Sequence, residues 1–373
     1  MAYAGLVVGT GSMVGELRPL ERALLGAPSS AGLAGVAQLW AATALDAAMV
    51  RAMRLVVSRF LLADPGQGER LRASAAPYLD GRLLGDPAGF FALPEGASAQ
   101  LRRTRSVRAL RGGAVLSHRL DTDLDPDDPI RIEHWVHRPP RVPATLLAVH
   151  GFTMGWPWLD AIALLASEWF RAGLDVALLT LPFHGPRTPR DARFSGDSFA
   201  RPDVGQLNEA ARRAVREILL ATRWLRGESG HEVGLLGLSL GGYLVATASA
   251  LDPELAFAVA MVPPVCFGDL AWRFLPATPA GAPPATPALS YDELRRAFHV
   301  HSPLAHVPAV ARERLLIIAG RGDRIVPPEH PSSLWRHWGE PAIHWFEGSH
   351  LAPFGRAGIA AAVRAHLARL GLS

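Results

Sequence analysis

The chain is expected to fold as an α/β protein, with a mostly parallel central sheet covered by helices on both faces. Three observations predict this. Short apolar runs recur at Leu146 to Val149, Leu174 to Leu181, Val233 to Leu236, Ala256 to Val262, Leu315 to Ala319 and Ala342 to Phe346. Helical stretches separate them, of which Leu207 to Arg226 is strongly amphipathic. Runs without polar alternation suit strands buried on both faces, and alternation of strand with helix is the pattern of parallel strands joined by crossovers. Finally, 49% hydrophobic and 19% charged residues over 373 positions suffice for a sizeable core and lie far from the composition of disorder.

Taken in order, Met1 to Val14 is apolar but has neither a basic leader nor a small-residue cleavage site, so no export signal is expected. Ala31 to Leu62 reads as helix. Asp46, Arg51, Arg54 and Arg59 interrupt it before the roughly 20 apolar residues of a membrane span accumulate. Packing against the main domain is favoured over lying on a membrane surface, the other use of such an amphipathic segment. Gly66 to Gly96 is rich in glycine, proline and aspartate and predicts loops with short helices. Residues 1–105 are therefore expected to form a helical accessory region and residues 106–373 the main domain.

Val107 to Leu120 and Ile130 to His137 have the alternation of antiparallel strands, connected by Asp121 to Asp128. Trp158 to Ala172 reads as one helix. After Val262 the pattern breaks: residues 263–313 hold Trp272, Phe274, a proline- and alanine-rich stretch from Pro276 to Pro287 and a short helix from Tyr291 to His299. Placed between two strands, this predicts an inserted lid. A helix over Pro328 to Trp338 and a last one over Phe354 to Leu370 complete the alternation.

Charge excludes some classes. The 38 basic residues are all arginine and exceed the 34 acidic ones by only four, which is no nucleic-acid footprint. The run Arg102, Arg103, Arg105, Arg108 and Arg111 reads as a solvated face. Cys266 is the sole cysteine, so no internal disulfide can form, and a reducing, cytoplasmic setting is expected.

The chemistry is carried by Gly237-Leu238-Ser239-Leu240-Gly241-Gly242, which follows the run Val233 to Leu236 and precedes the alanine-rich helix Tyr243 to Leu251. A serine between a strand and a helix, with glycine two positions away on each side, suits a sharp turn that presents its hydroxyl at the top of a sheet. The Leu240 N–H opens the helix and lies at the positive end of its dipole. Serine needs a base, and the base needs an orienting group. Asp323, in Gly320-Arg321-Gly322-Asp323, follows the run Leu315 to Ala319, and His350, in Gly348-Ser349-His350, follows Ala342 to Phe346. Glu347 and Asp269 are alternative acids; His330, His337 and His344 are competing histidines within a predicted helix or strand.

The order Ser239, Asp323, His350, each just beyond a strand, resembles the α/β-hydrolase superfamily, and His150-Gly151 resembles its oxyanion loop. The resemblance implies Ser239 as nucleophile, His350 as general base and then acid, and Asp323 as the group that holds the His350 tautomer. It also implies an oxyanion hole from the backbone N–H groups of Phe152 and Leu240. His150 and His184 read as loop-shaping residues. His299, His301 and His306 lack carboxylate partners and the spacing of a zinc helix, so no metal and no cofactor are expected. Trp156, Trp272 and Phe274 are expected to line a partly hydrophobic pocket for a small-molecule ester. The same triad serves amide hydrolysis and acyl transfer, and the fold also serves ligand-binding or membrane-associated proteins without catalysis.

Overall fold

The computed structural model describes residues 41, 43–51, 53–54, 65–138, 143–199, 201, 203–275, 287–353 and 355–372. Met1 to Val14 and nearly all of Pro276 to Pro287 lie outside them. Nine strands, β1 (Ala99–Leu110), β2 (Gly113–Thr122), β3 (Ile130–His137), β4 (Ala144–Val149), β5 (Asp175–Thr180), β6 (Glu232–Leu238), β7 (Ala258–Met261), β8 (Leu315–Gly320) and β9 (Ala342–Phe346), make one sheet. Their order is β1-β2-β3-β5-β4-β6-β7-β8-β9. The pairs from β4 onward are parallel, while β1, β2, β3 and β5 pair antiparallel.

The stretch Val107 to Leu120 is two strands, not one. Leu110 pairs with Gly113 across a tight turn whose Gly112 has φ +80°, a backbone conformation that glycine adopts without steric cost. The sheet accordingly starts at Ala99, ahead of the expected boundary at residue 106. β1 is exposed along most of its length, with Arg102 paired to Asp121 at 3.3 Å and Arg108 lying over the Trp135 ring.

β4 shows why its sequence is uniformly apolar. Leu147 and Val149 enter one buried cluster and Leu146 and Ala148 the other, so both faces of the strand are covered. Helices supply the cover: α1 (residues 43–54, in the described positions), α2 (Pro65–Ala75), α3 (Gly81–Gly85), α4 (Pro157–Ala163), α5 (Ala166–Arg171), α6 (Val204–Ser229), α7 (Leu240–Ala248), α8 (Phe267–Arg273), α9 (Tyr291–Ala297), α10 (Glu329–His337) and α11 (Arg356–Arg369). The helix expected over Trp158 to Ala172 breaks into α4 and α5 at Leu165, whose left-handed φ of +58° interrupts the hydrogen-bond ladder without a glycine or proline to announce it. The amphipathic α6 is capped by the Asp203 side chain, which accepts from Gln206 N, and ends at Gly230 with φ +67°.

Residues 65–91 join the main core. Leu71, Ala75, Phe90 and Phe91 share a cluster with Leu147 and Val149, and the Tyr78 hydroxyl donates to Glu209 of α6. A buried ion network then ties α6 to the loop after β5. The Arg187 side chain is fully enclosed and donates to Glu217 at 2.6 and 2.8 Å and to Asp128, which Arg213 also contacts. Removing one member leaves its partners charged and buried. Arg187→Ala is therefore expected to lower the unfolding free energy by about 3–5 kcal/mol in urea denaturation, and a loss below about 1 kcal/mol would contradict that role.

Candidate active site

β4 is flanked by β5 on one side and β6 on the other, so the chain reverses direction across the sheet at this strand. Loops at the carboxyl ends of strands flanking such a point leave a crevice. The β4, β6, β8 and β9 loops carry His150, Ser239, Asp323 and His350 respectively.

Ser239 stands between β6 and α7 with φ +54° and ψ −113°, a sparsely populated conformation for a residue with a β-carbon. The turn is this tight because its neighbours approach so closely. A β-carbon on Gly237 would lie 2.1 Å from Gly241 O, and one on Gly241 would lie 2.2 Å from Val149 O. Both positions therefore exclude every side chain.

Ser239 Oγ lies 2.8 Å from His350 Nε2, and His350 Nδ1 lies 2.7 Å from Asp323 Oδ2. The other Asp323 oxygen accepts from Ile325 N at 3.0 Å and Val326 N at 2.7 Å, which fixes the carboxylate plane. Glu347 instead pairs with Arg321, and Asp269 accepts from the Tyr291 hydroxyl. Among the competing histidines, His330 accepts from Val265 N, and His337 donates to His306 O. His301 bridges Tyr243 and Asn208 within the core, and His306 donates to Val300 O. Burial pulls the His350 pKa down, but the Asp323 carboxylate and, more weakly, Asp46 outweigh it, so the net shift is upward from 6.5.

Neither the Phe152 nor the Leu240 N–H has an acceptor among the described residues, and Leu240 opens the first turn of α7. The loop carrying Phe152 is held firmly. His150 donates from Nδ1 to Gly151 O at 2.8 Å and accepts at Nε2 from Leu181 N at 3.0 Å. With both ring nitrogens engaged this way and full burial pushing its pKa to about 3, His150 is neutral and has no free nitrogen to serve as a base. The buried Asp160 accepts from Gly155 N, and Ser195 joins Met154 O to Gly185 N. His184, beside that glycine, donates to Pro182 O.

The three aromatic residues expected at the pocket go to different surroundings. Trp156 caps α4 and is 46% exposed, Trp272 tilts against Tyr291, and Phe274 is buried with Ile325 and Val326. Phe152 and Phe194 meet edge to face, and Trp158 and Leu351 are also exposed.

Asp46 is the residue that sequence reasoning missed. It interrupts an alanine-rich helix, yet its side chain is wholly buried and takes four hydrogen bonds. Oδ1 accepts from Ser349 Oγ at 2.9 Å and Leu351 N at 3.0 Å; Oδ2 accepts from His350 N at 2.9 Å and Arg324 N at 3.0 Å. One carboxylate thus clamps the His350 loop to the Asp323 loop. Asparagine has the same shape but presents an NH₂ to donors. Asp46→Asn is expected to lower any activity that depends on His350 by about 10²-fold through misplacement of the ring, and to move the acid limb of its pH profile to lower pH. An unchanged limb with unchanged turnover would remove Asp46 from the site.

A nine-stranded, mostly parallel sheet with a strained serine at a strand-to-helix elbow gives the chain the α/β-hydrolase fold. The solved structures that share the fold include two esterases. An acetyl xylan esterase from Paenibacillus sp. R4 is 15% identical, with a TM-score of 0.52 over 76% of this chain and 92% of that one. Acetyl xylan esterase 1 from Thermoanaerobacterium sp. JW/SL YS485 is 14% identical, with a TM-score of 0.51 over 79% and 93%. No family model matches the chain. The chain belongs to the family of the uncharacterized protein Rv2627c of Mycobacterium tuberculosis H37Rv, to which it is 30% identical over 318 residues, 79% of this chain and 73% of the relative. The uncharacterized protein MT2702 of M. tuberculosis CDC 1551 is 32% identical over 61% of this chain and 54% of its own length.

Proposed function

We propose that the protein is a serine hydrolase that cleaves a carboxylic ester through an acyl-enzyme. The observation that carries this reading is the continuous chain Ser239 Oγ, His350, Asp323, at 2.8 and 2.7 Å, beside two N–H groups with no acceptor among the described residues. Ser239 Oγ attacks the ester carbonyl while His350 Nε2 takes its proton, and Asp323 keeps the remaining proton on Nδ1. The carbonyl oxygen becomes an oxyanion, held by the Phe152 and Leu240 N–H groups, each contributing about 3 kcal/mol at the transition state. His350 returns the proton to the departing alcohol, and the ester bond breaks. Water, deprotonated by the same nitrogen, then releases the acid and restores Ser239. No cofactor enters any step.

The exposed Trp156 and the Phe152–Phe194 pair support a partly hydrophobic, small-molecule ester. A fluorophosphonate probe tests the reading: labelling of the full chain that disappears in Ser239→Ala supports it, and labelling that persists in that variant sinks it. A p-nitrophenyl ester and anilide panel separates ester from amide cleavage, since comparable anilide turnover would replace the ester assignment. Added alcohol acceptors report transfer.

His350 must be neutral to accept the proton. Because its pKa is raised, the rate is expected to climb with pH through an apparent pKa above 6.5. A kcat/KM profile whose acid limb is centred below 6.5 would contradict the charge balance around His350.

A further inference from the structure

On the far side of the Asp323 loop from β8, one face of α1 meets the end of α8 around a cavity of about 680 Å³. Thr43, Ala44, Ala47, Val50, Arg51 and Arg54 line it from α1, and Arg273 and Arg324 close it. The α1 positions recur at intervals of three and four, so a single helix stripe forms the wall. All four arginines are exposed, and none has a carboxylate within ion-pair distance among the described residues. The acid on α1 cannot serve, because both Asp46 oxygens are occupied by the four donors of the Arg324 and Ser349 to Leu351 backbone and side chain.

We infer that this cavity binds an organic anion, a phosphate or comparable oxyanion head carried on a short aliphatic body. Four like charges around one cavity repel one another, and an oxyanion placed among them offsets that repulsion. Guanidinium forks suit it, since each can offer two parallel N–H donors to one phosphate or carboxylate group. The apolar residues Ala44, Ala47 and Val50 argue against a bare inorganic ion, which would leave their methyl groups in water. An aliphatic body covers them. The site is independent of the chemistry at Ser239 and is tested without measuring hydrolysis.

The probe is hexyl phosphate, titrated calorimetrically into the full chain at low salt. Binding is expected, with inorganic phosphate and 1-hexanol each at least tenfold weaker. Arg51→Gln/Arg54→Gln and Arg273→Gln/Arg324→Gln, altering two different elements, should each weaken it at least tenfold, as should 0.5 M sodium chloride. Absence of hexyl phosphate binding, or equal affinity in both double variants at unchanged melting temperature, would overturn the assignment. Should one pair fail to fold, the other decides. Vesicles containing phosphatidic acid distinguish the source of the head group: co-sedimentation abolished by soluble hexyl phosphate indicates a lipid head in this same cavity, and co-sedimentation with no soluble binding overturns the cavity as the site.

Discussion

Ser239→Ala is expected to lower kcat for an activated ester by about 10⁶-fold, the scale seen when the nucleophile of a cooperating triad is removed. The residual rate would come from the two free N–H groups and from substrate binding, since neither depends on the hydroxyl. Thermal stability should change little, because the only hydrogen bond lost is that between Ser239 Oγ and His350 Nε2, and residue 239 keeps its backbone bond from N to Met261 O. The φ of +54° persists and still disfavours a β-carbon. Stopped assays with p-nitrophenyl acetate on a variant checked by circular dichroism decide the matter. A drop of less than about tenfold would mean that another group performs the attack.

Asp323→Asn should cost about 10⁴-fold in kcat with little effect on KM. The amide can still accept from Ile325 N and Val326 N through its oxygen, which directs its NH₂ toward His350 Nδ1. That donor turns Nδ1 into the acceptor and moves the ring proton to Nε2, where it blocks abstraction from Ser239. The loss should shrink at high pH, where hydroxide supplies an alternative base, and a loss that is flat from pH 6 to pH 10 would point to collapse of the loop instead. If Asp323→Asn keeps most of its turnover, Asp323 is a turn residue, with its two backbone bonds as its whole role.

The parts of this site that were legible in the sequence are those written within a few residues of a strand end. Ser239, Asp323 and His350 each follow an apolar run directly, and glycines at 237 and 241 mark the elbow through steric need. The parallel half of the sheet was legible for the same reason, since burial on both faces leaves unbroken apolar runs. The placement of β5 between β3 and β4 had no local signature, because strand order is set by which edges meet in space. Asp160 and Ser195 were opaque too: Asp160 reaches back from the first turn of α4 to Gly155 N, and Ser195 holds Met154 O from a separate segment. Asp46 was the hardest to read. An isolated carboxylate in an alanine-rich helix looks like a solubilising break until the loops it joins are brought to it.

That carboxylate also sets an order of assembly. Its partners lie 278 to 305 residues further along the chain, so the three bonds to Ser349, His350 and Leu351 cannot form until β9 and the loop after it have been made, and the one to Arg324 only after β8. The sheet can pair neighbour by neighbour from β4 through β8 with shorter closures, whereas the α1 clamp closes nearly the whole polypeptide into one ring. Loop entropy grows only slowly with length, by about 0.6 kcal/mol per doubling, so the closure is affordable once its ends are held. Contacts this distant in sequence form late because the intervening chain must already be compact. A helix made about 280 to 300 residues ahead of its partners thereby becomes the last fastening of the histidine loop.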